Sequence, residues 1–299
     1  MPWRRQCCVL TVGFILVGLV GCASGGAGPR PRPAAAPSAS VPSAVPRPDH
    51  VLIVLSENKG SEQVVGAPDA PYLTSLAHAG ANFTDAHGLT HPSQPNYIGL
   101  LSGSTNGVTD DTCPHDLGAR PNLARQLLDA NLGFAGYSEN LPADGFTGCT
   151  SPDNEYARKH NPWVDFANIP AADNRTSHDL PRDFSRLPTV SFLIPNMCDD
   201  MHDCPVSAGD SWASRVLPDY VRWAASHNSL LIVIFDEDDG SDANHVPTIL
   251  VGPMVRPGET NQRIDHYSVL RTLEDMYGLT PLGAAADARP ITGIWTHGR

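Results

Sequence analysis

The chain contains no apolar run long enough to cross a membrane and no internal repeat. Its longest apolar stretch, Cys7 to Val20, falls short of the ~20 residues a spanning helix needs. Basic residues are few: 20 Lys and Arg stand against 32 Asp and Glu, for a net charge of −12. So acidic a surface disfavours nucleic acid and docking on anionic lipid as partners. No two cysteines have CxxC spacing, which disfavours a structural zinc site. Repeat proteins, membrane-embedded channels and nucleic-acid binders are thereby set aside.

What is present begins with a leader. Arg4 and Arg5 precede the apolar run, and residues 1–21 read as a signal peptide. Leu19-Val20-Gly21-Cys22 resembles the bacterial lipobox, which implies cleavage before Cys22 and attachment of a lipid to it; an ordinary signal peptide cleaved nearby is the alternative. The protein is therefore expected to be exported and held at the cell surface through Cys22, or also released, with the membrane touched only through that anchor. Residues 22–47, rich in Pro, Ala and Ser, read as an extended tether. Residues 48–299 are enough for one domain with a sizeable core. Four cysteines remain there, Cys113, Cys149, Cys198 and Cys204. An even number in an exported chain suggests two disulfides, with three connectivities open. Cys113–Cys149 with Cys198–Cys204 is preferred, since the second closes a short loop.

Within the domain, strands are expected at 50–55, 134–137, 189–194, 230–235 and 247–251, and helices at 71–79, after Ser93, at 122–130, 212–225 and 267–277. Pro218 would kink the fourth helix. Residues 138–185 read as a polar insertion or lid. Strands separated by helices give an α/β fold, a mostly parallel central sheet with helices on both faces. Polar clusters follow three apolar strands: Glu57-Asn58, Asn196 onward, and Asp236-Glu237. That is the edge at which open α/β sheets bind ligands. Pro95 reads as the first residue of a helix, which would put the Ser93 hydroxyl at a positive helix end suited to an anion.

Ser56-Glu57-Asn58, His91-Pro92-Ser93-Gln94-Pro95-Asn96-Tyr97, Asp200-Met201-His202-Asp203 and Phe235-Asp236-Glu237 together resemble the bacterial acid phosphatase and phospholipase C phosphoesterase family, of the alkaline phosphatase superfamily. Tyr156-Ala157-Arg158-Lys159-His160, Pro162-Trp163 and the segment from His266 to Glu274 extend the likeness over the whole domain. The resemblance implies an alkaline-phosphatase-like α/β/α sandwich and metal-assisted hydrolysis of phosphate monoesters through a phosphoserine on Ser93. It also implies one divalent cation held by Glu57, Asn58, Ser93, Asp236 and Glu237. Oxygen ligands suit a hard cation, which would lower the serine pKa and offset phosphate charge. His202, oriented by Asp203, would bind phosphate oxygens or protonate the leaving alkoxide. Asn96, His266 and His245 would contact substrate, with His91 and Asp210 as lesser candidates. Tyr156, Arg158, Lys159 and His160 would meet substrate from the lid, or form a solvated charge run. Asp238 and Asp239 read as solvated loop acids.

Departures narrow the reading. Tyr97 stands where the C/S-x-P-x-R pattern of sulfatases has arginine, and Asp236-Glu237 stands where alkaline phosphatases have Asp-His, so one cation is expected rather than two. The substrate would be a phosphorylated small molecule or lipid. A phospholipase C acting on diesters is the first alternative, and a non-catalytic surface-binding lipoprotein the second.

Overall fold

A computed structural model describes residues 45–241 and 243–296. The leader, Cys22 and most of the tether lie outside the described residues.

The strands, in chain order, are β1 His50–Ser56, β2 Ala81–Phe83, β3 Ala86–His87, β4 Phe134–Ser138, β5 Asn174–Thr176, β6 Val190–Ile194, β7 Ser229–Phe235, β8 Thr248–Val251, β9 Gly258–Thr260 and β10 Ile264–Asp265. The helices are α1 Ser61–Val64, α2 Pro71–Ala79, α3 Ser93–Ser102, α4 Leu123–Asp129, α5 Val206–Ala224 and α6 His266–Tyr277. One large sheet has the order β5-β4-β6-β1-β7-β8-β2-β9. Its central strands β4, β6, β1 and β7 are parallel and almost wholly buried, as a sheet covered on both faces requires. Only β8 opposes both its neighbours. The expected mostly parallel α/β sandwich is thus the fold, with helix α3 packed on α6 and α2 on α5.

Three expectations need correction. Helix α3 starts at Ser93, with Pro92 as its cap, so Pro95 falls inside the first turn. Its missing N–H still costs nothing there, because first-turn amides have no partner within the helix. Helix α5 starts at Val206 rather than Trp212. Residues 138–185 are not a detached lid. They supply edge strand β5 and bury Tyr156, Arg158, His160 and Trp163. The burial has a specific cause: a Cβ at Gly136 of β4 would fall 2.1 Å from the Trp163 ring, so the glycine makes the space that seats it. Arg158 is not solvated either, since its guanidinium pairs with buried Asp165 at 2.8 Å.

Both preferred disulfides, Cys113–Cys149 and Cys198–Cys204, are present. At the other end of the core, Glu274 of α6 accepts the Leu282 amide at 2.8 Å, and burial pushes its carboxyl up to about 7 from an ordinary 4.5. Between those values the folded chain keeps a proton that the unfolded chain has lost. The stability this carboxyl contributes is therefore full below about pH 4.5 and lost as pH rises through about 7. Glu274→Gln is expected to stabilise the protein by about 1–3 kcal/mol near pH 8 and to change little near pH 5, as measured by thermal unfolding at each pH.

Candidate active site

The site forms where β6, β1 and β7, neighbours in the sheet, reach their carboxyl ends. β1 delivers Glu57 and Asn58, β7 delivers Asp236 and Glu237, and the segment after β6 brings Asp200, His202 and Asp203. Helix α3 inserts Ser93 among them. Ser93 Oγ lies 2.9 Å from Glu57 Oε2, 3.0 Å from Glu237 Oε1 and 3.4 Å from Asn58 Oδ1. The Asn58 backbone N–H donates to Asp236 Oδ1 at 3.2 Å. Ser93, Glu57 and Asp236 are wholly buried.

Three buried carboxylates around one hydroxyl repel each other. Burial first, then Asp236 and Asp200, raise the Glu57 carboxyl well above its usual range; burial, then Glu237, does the same to Asp236. Asp236 Oδ2 is buried without a hydrogen-bond partner among the described residues. Asn58 Oδ1 faces Glu57 and Glu237, oxygen against carboxylate; exchanging its O and N would give two donations of 3.1 Å. Orphaned oxygen, excess negative charge and an all-oxygen donor set therefore fit a hard divalent ion.

A second group lies on the far side of Glu57. Tyr97 donates its hydroxyl to Glu57 Oε1 and stacks on His160 at 5.2 Å. His160 sits 3.1 Å from both Glu57 Oε1 and Asp200 Oδ2. Burial, then the charges of Lys159 and His202, hold its pKa well below the usual value. One donor atom each from Glu57, His160 and His202 lies within 4.8 Å of the others, a possible metal-binding group. His202 Nδ1 is 2.7 Å from Asp203 Oδ1, and its Nε2 is 3.0 Å from Lys159 Nζ. Lys159 also donates to Asp111 Oδ2 at 2.9 Å, and Asp111 Oδ1 takes the Gln94 amide of the first turn of α3 at 2.9 Å. The positive end of that helix already has a carboxylate partner.

Other candidates have different places. Asn96 directs its amide hydrogens to the Thr90 and Pro92 carbonyls and accepts from the Leu89 and Thr90 amides, so it braces the loop leading to Ser93. His266 is buried, its Nε2 2.7 Å from the Asp236 carbonyl. His91 Nδ1 is 2.7 Å from Glu237 Oε2. His245 forms a backbone bridge with His87, and its Nδ1 lies 3.9 Å from Glu62 Oε2. Asp210 accepts the Tyr72 and Leu73 amides, capping α2, which removes it from phosphate contact. Asp238 is buried rather than solvated, and it receives the Gly240, Ser241 and His245 amides because the loop after β7 folds around it. Asp239 is exposed, as expected.

Tyr97, Asp111 and Asp200 join the site beyond the residues expected there, and His160 and Lys159, expected in a lid, reach it as well. For Tyr97 and Asp200 the signal was adjacency to a named motif. Asp111 carried none.

The profile of the Phosphoesterase family matches residues 57–280. The chain is 48% identical over 255 residues to the phosphatidylinositol-3-phosphatase of Mycobacterium tuberculosis, covering 85% of each. It is 31% identical over 228 residues to an acid phosphatase of Aspergillus fumigatus, covering 70% of this chain and 51% of that one, about half its length. Among solved structures, a protein in the alkaline phosphatase superfamily from Vibrio parahaemolyticus superposes with a TM-score of 0.58 at 14% identity, over 83% of this chain and 71% of the other. At that identity the likeness concerns the fold.

Proposed function

Because this chain belongs to the Phosphoesterase family, whose members hydrolyse phosphate esters, we propose that it is a phosphomonoesterase of the acid phosphatase kind that works through a phosphoserine on Ser93. The observation that carries this is the convergence of the Ser93 hydroxyl with Glu57, Asn58 and Glu237 at 2.9–3.4 Å, beside Asp236.

In this reading Glu57, Asn58, Ser93, Asp236 and Glu237 hold one divalent cation. When bound, the cation lowers the serine pKa and offsets negative charge on the phosphoryl group. Ser93 Oγ attacks phosphorus, its proton passing to Glu57 or Glu237, the acceptors in reach. The ester P–O bond breaks, and the departing alkoxide takes a proton at His202 Nε2. Asp203 holds Nδ1, so exchange is confined to Nε2, where Lys159 Nζ is the neighbouring donor. Water then attacks the phosphoserine and gives one proton to His202; the Ser93 Oγ–P bond breaks, phosphate is freed, and Ser93 Oγ regains its proton from the glutamate that took it. Asn96 and His266 act through what they hold, the Thr90–Pro92 loop and the Asp236 backbone. The ammonium of Lys159 beside His202 supports one cation rather than two.

Export and surface attachment at Cys22 belong to the same proposal, supported by the leader and by two disulfides. Comparing rates on an aryl phosphate monoester and on phosphatidylcholine tests the reading. The monoester is expected to turn over at least tenfold faster; faster cleavage of the phosphatidylcholine diester would favour a phospholipase C.

A further inference from the structure

One carboxylate joins two donors that lie on opposite sides of the Ser93 chemistry. Asp111 Oδ1 accepts the Gln94 backbone N–H at 2.9 Å, and Asp111 Oδ2 accepts from Lys159 Nζ at 2.9 Å. We propose that Asp111 is a resident mimic of the phosphoryl group. It holds the donors that bind phosphoryl oxygens, gives them up when substrate arrives, and thereby sets how tightly the site holds phosphate esters and the phosphate released from them. The role rests on the phosphatase reading.

The sequence leaves few amides at the start of α3. Four N–H groups at a helix start have no partner within the helix, but Pro92 and Pro95 have no N–H to offer, so Ser93 and Gln94 supply the only two. The Gln94 amide is one peptide from the nucleophile. Lys159 Nζ is 3.0 Å from His202 Nε2, the atom at which the departing alkoxide takes its proton. One donor therefore belongs to the attacking side and the other to the leaving side, with phosphorus between them. A carboxylate that accepts from both with its two oxygens makes the charge-assisted contacts a phosphate would make.

Asp111 is not what holds these donors in place. Gln94 Nε2 donates to Asp165 Oδ2 at 3.3 Å, and Arg158, the neighbour of Lys159, donates to Asp165 Oδ1 from Nε at 3.0 Å and from Nη2 at 2.8 Å. Asp165 is buried, so the tie between the start of α3 and the Lys159 segment is made from the inside. Asp111 repeats that tie from the solvent side. Its side chain is 27% exposed and stands in the loop of residues 103–122, so it can turn to water without leaving a charge buried. Glu57, Asp236 and Glu237 already surround Ser93, and a further carboxylate in the path of an anion repels it. The sign of the effect follows. Removing the Asp111 charge strengthens phosphate binding, whereas removing a residue that only braces the site would weaken it.

The test measures KM and kcat on an aryl phosphate, and Ki for inorganic phosphate, in the wild type, Asp111→Asn and Asp111→Glu, with circular dichroism to check the fold. In Asp111→Asn both KM and Ki are expected to fall at least about fivefold, while kcat does not rise, the mark of tighter ground-state binding. Asp111→Glu keeps the charge and is expected to show no tightening. Calorimetric titration of the wild type and Asp111→Asn with inorganic phosphate, divalent cation present, reads the same affinity without turnover. A wild type that hydrolyses the monoester, paired with an Asp111→Asn protein whose Ki and calorimetric affinity are unchanged or weaker, overturns this role and leaves the phosphatase reading standing. Equal tightening in Asp111→Glu also overturns it, because charge would not be the cause. A protein that neither hydrolyses the monoester nor binds phosphate in any form overturns both.

Discussion

Ser93→Ala is expected to reduce hydrolysis of an aryl phosphate roughly 10³-fold or more while leaving the circular dichroism spectrum unchanged. The size follows from removing the attacking atom itself, since what remains is binding and electrostatics alone. The fold should survive because Ala suits the first turn of a helix, and α3 keeps its burial against α6 and the segment around Trp163. The substitution also removes a hydroxyl that has three acceptors within 3.4 Å, so Glu57 and Glu237 each lose a partner at once. A modest loss of stability is compatible with this account. Retained activity is not.

The second expected result concerns the carboxylates. Asp236→Asn should abolish the response to added divalent cation and lower activity at least 10²-fold, yet raise the melting temperature of the metal-free protein. The reasoning is electrostatic. Asp236 is wholly buried, Oδ2 has no hydrogen-bond partner among the described residues, and its charge raises the neighbouring Glu57 carboxyl. An amide keeps the acceptor at Oδ1 for the Asn58 backbone N–H and deletes the repulsion. In the wild type, cation at 100 to 1,000 times its Kd should stabilise the fold by about 3–4 kcal/mol, or on the order of 10 °C in Tm for a domain of this size. Chelator should remove that gain, and thermal unfolding with and without cation measures all four states. Equal melting temperatures for the wild type in chelator and in cation would speak against a bound ion, whatever the activity shows.

Much of this site was legible because its chemistry sits where apolar runs stop. The runs in β1 and β7 are buried on both faces and announce their ends with Glu57-Asn58 and Asp236-Glu237. The direction of β8 was not legible, since a strand buried on both faces reads the same whether parallel or antiparallel. The first turns of α5 were hidden by Ser207 and Gly209, which form helix poorly, and their purpose was hidden too: Asp210 caps another helix, α2. His160 and Lys159 lay in a stretch without periodicity. They reach Glu57 and His202 because Trp163 is seated over Gly136 and Arg158 is tied to Asp165, contacts made by long-range packing that no local pattern encodes. Asn96 shows the opposite error. Its residue type suggested a phosphate donor, while its amide is occupied by the loop it closes.

The central claim is that the Ser93 hydroxyl takes the phosphoryl group. Acid-quenching the enzyme during steady-state turnover of an aryl phosphate, followed by mass spectrometry of the peptide containing residue 93, tests it most directly. The account predicts a phosphate on Ser93 in the wild type and none in the Ser93→Ala protein. Turnover with no phosphate at Ser93, or with the label on His202 instead, would contradict it.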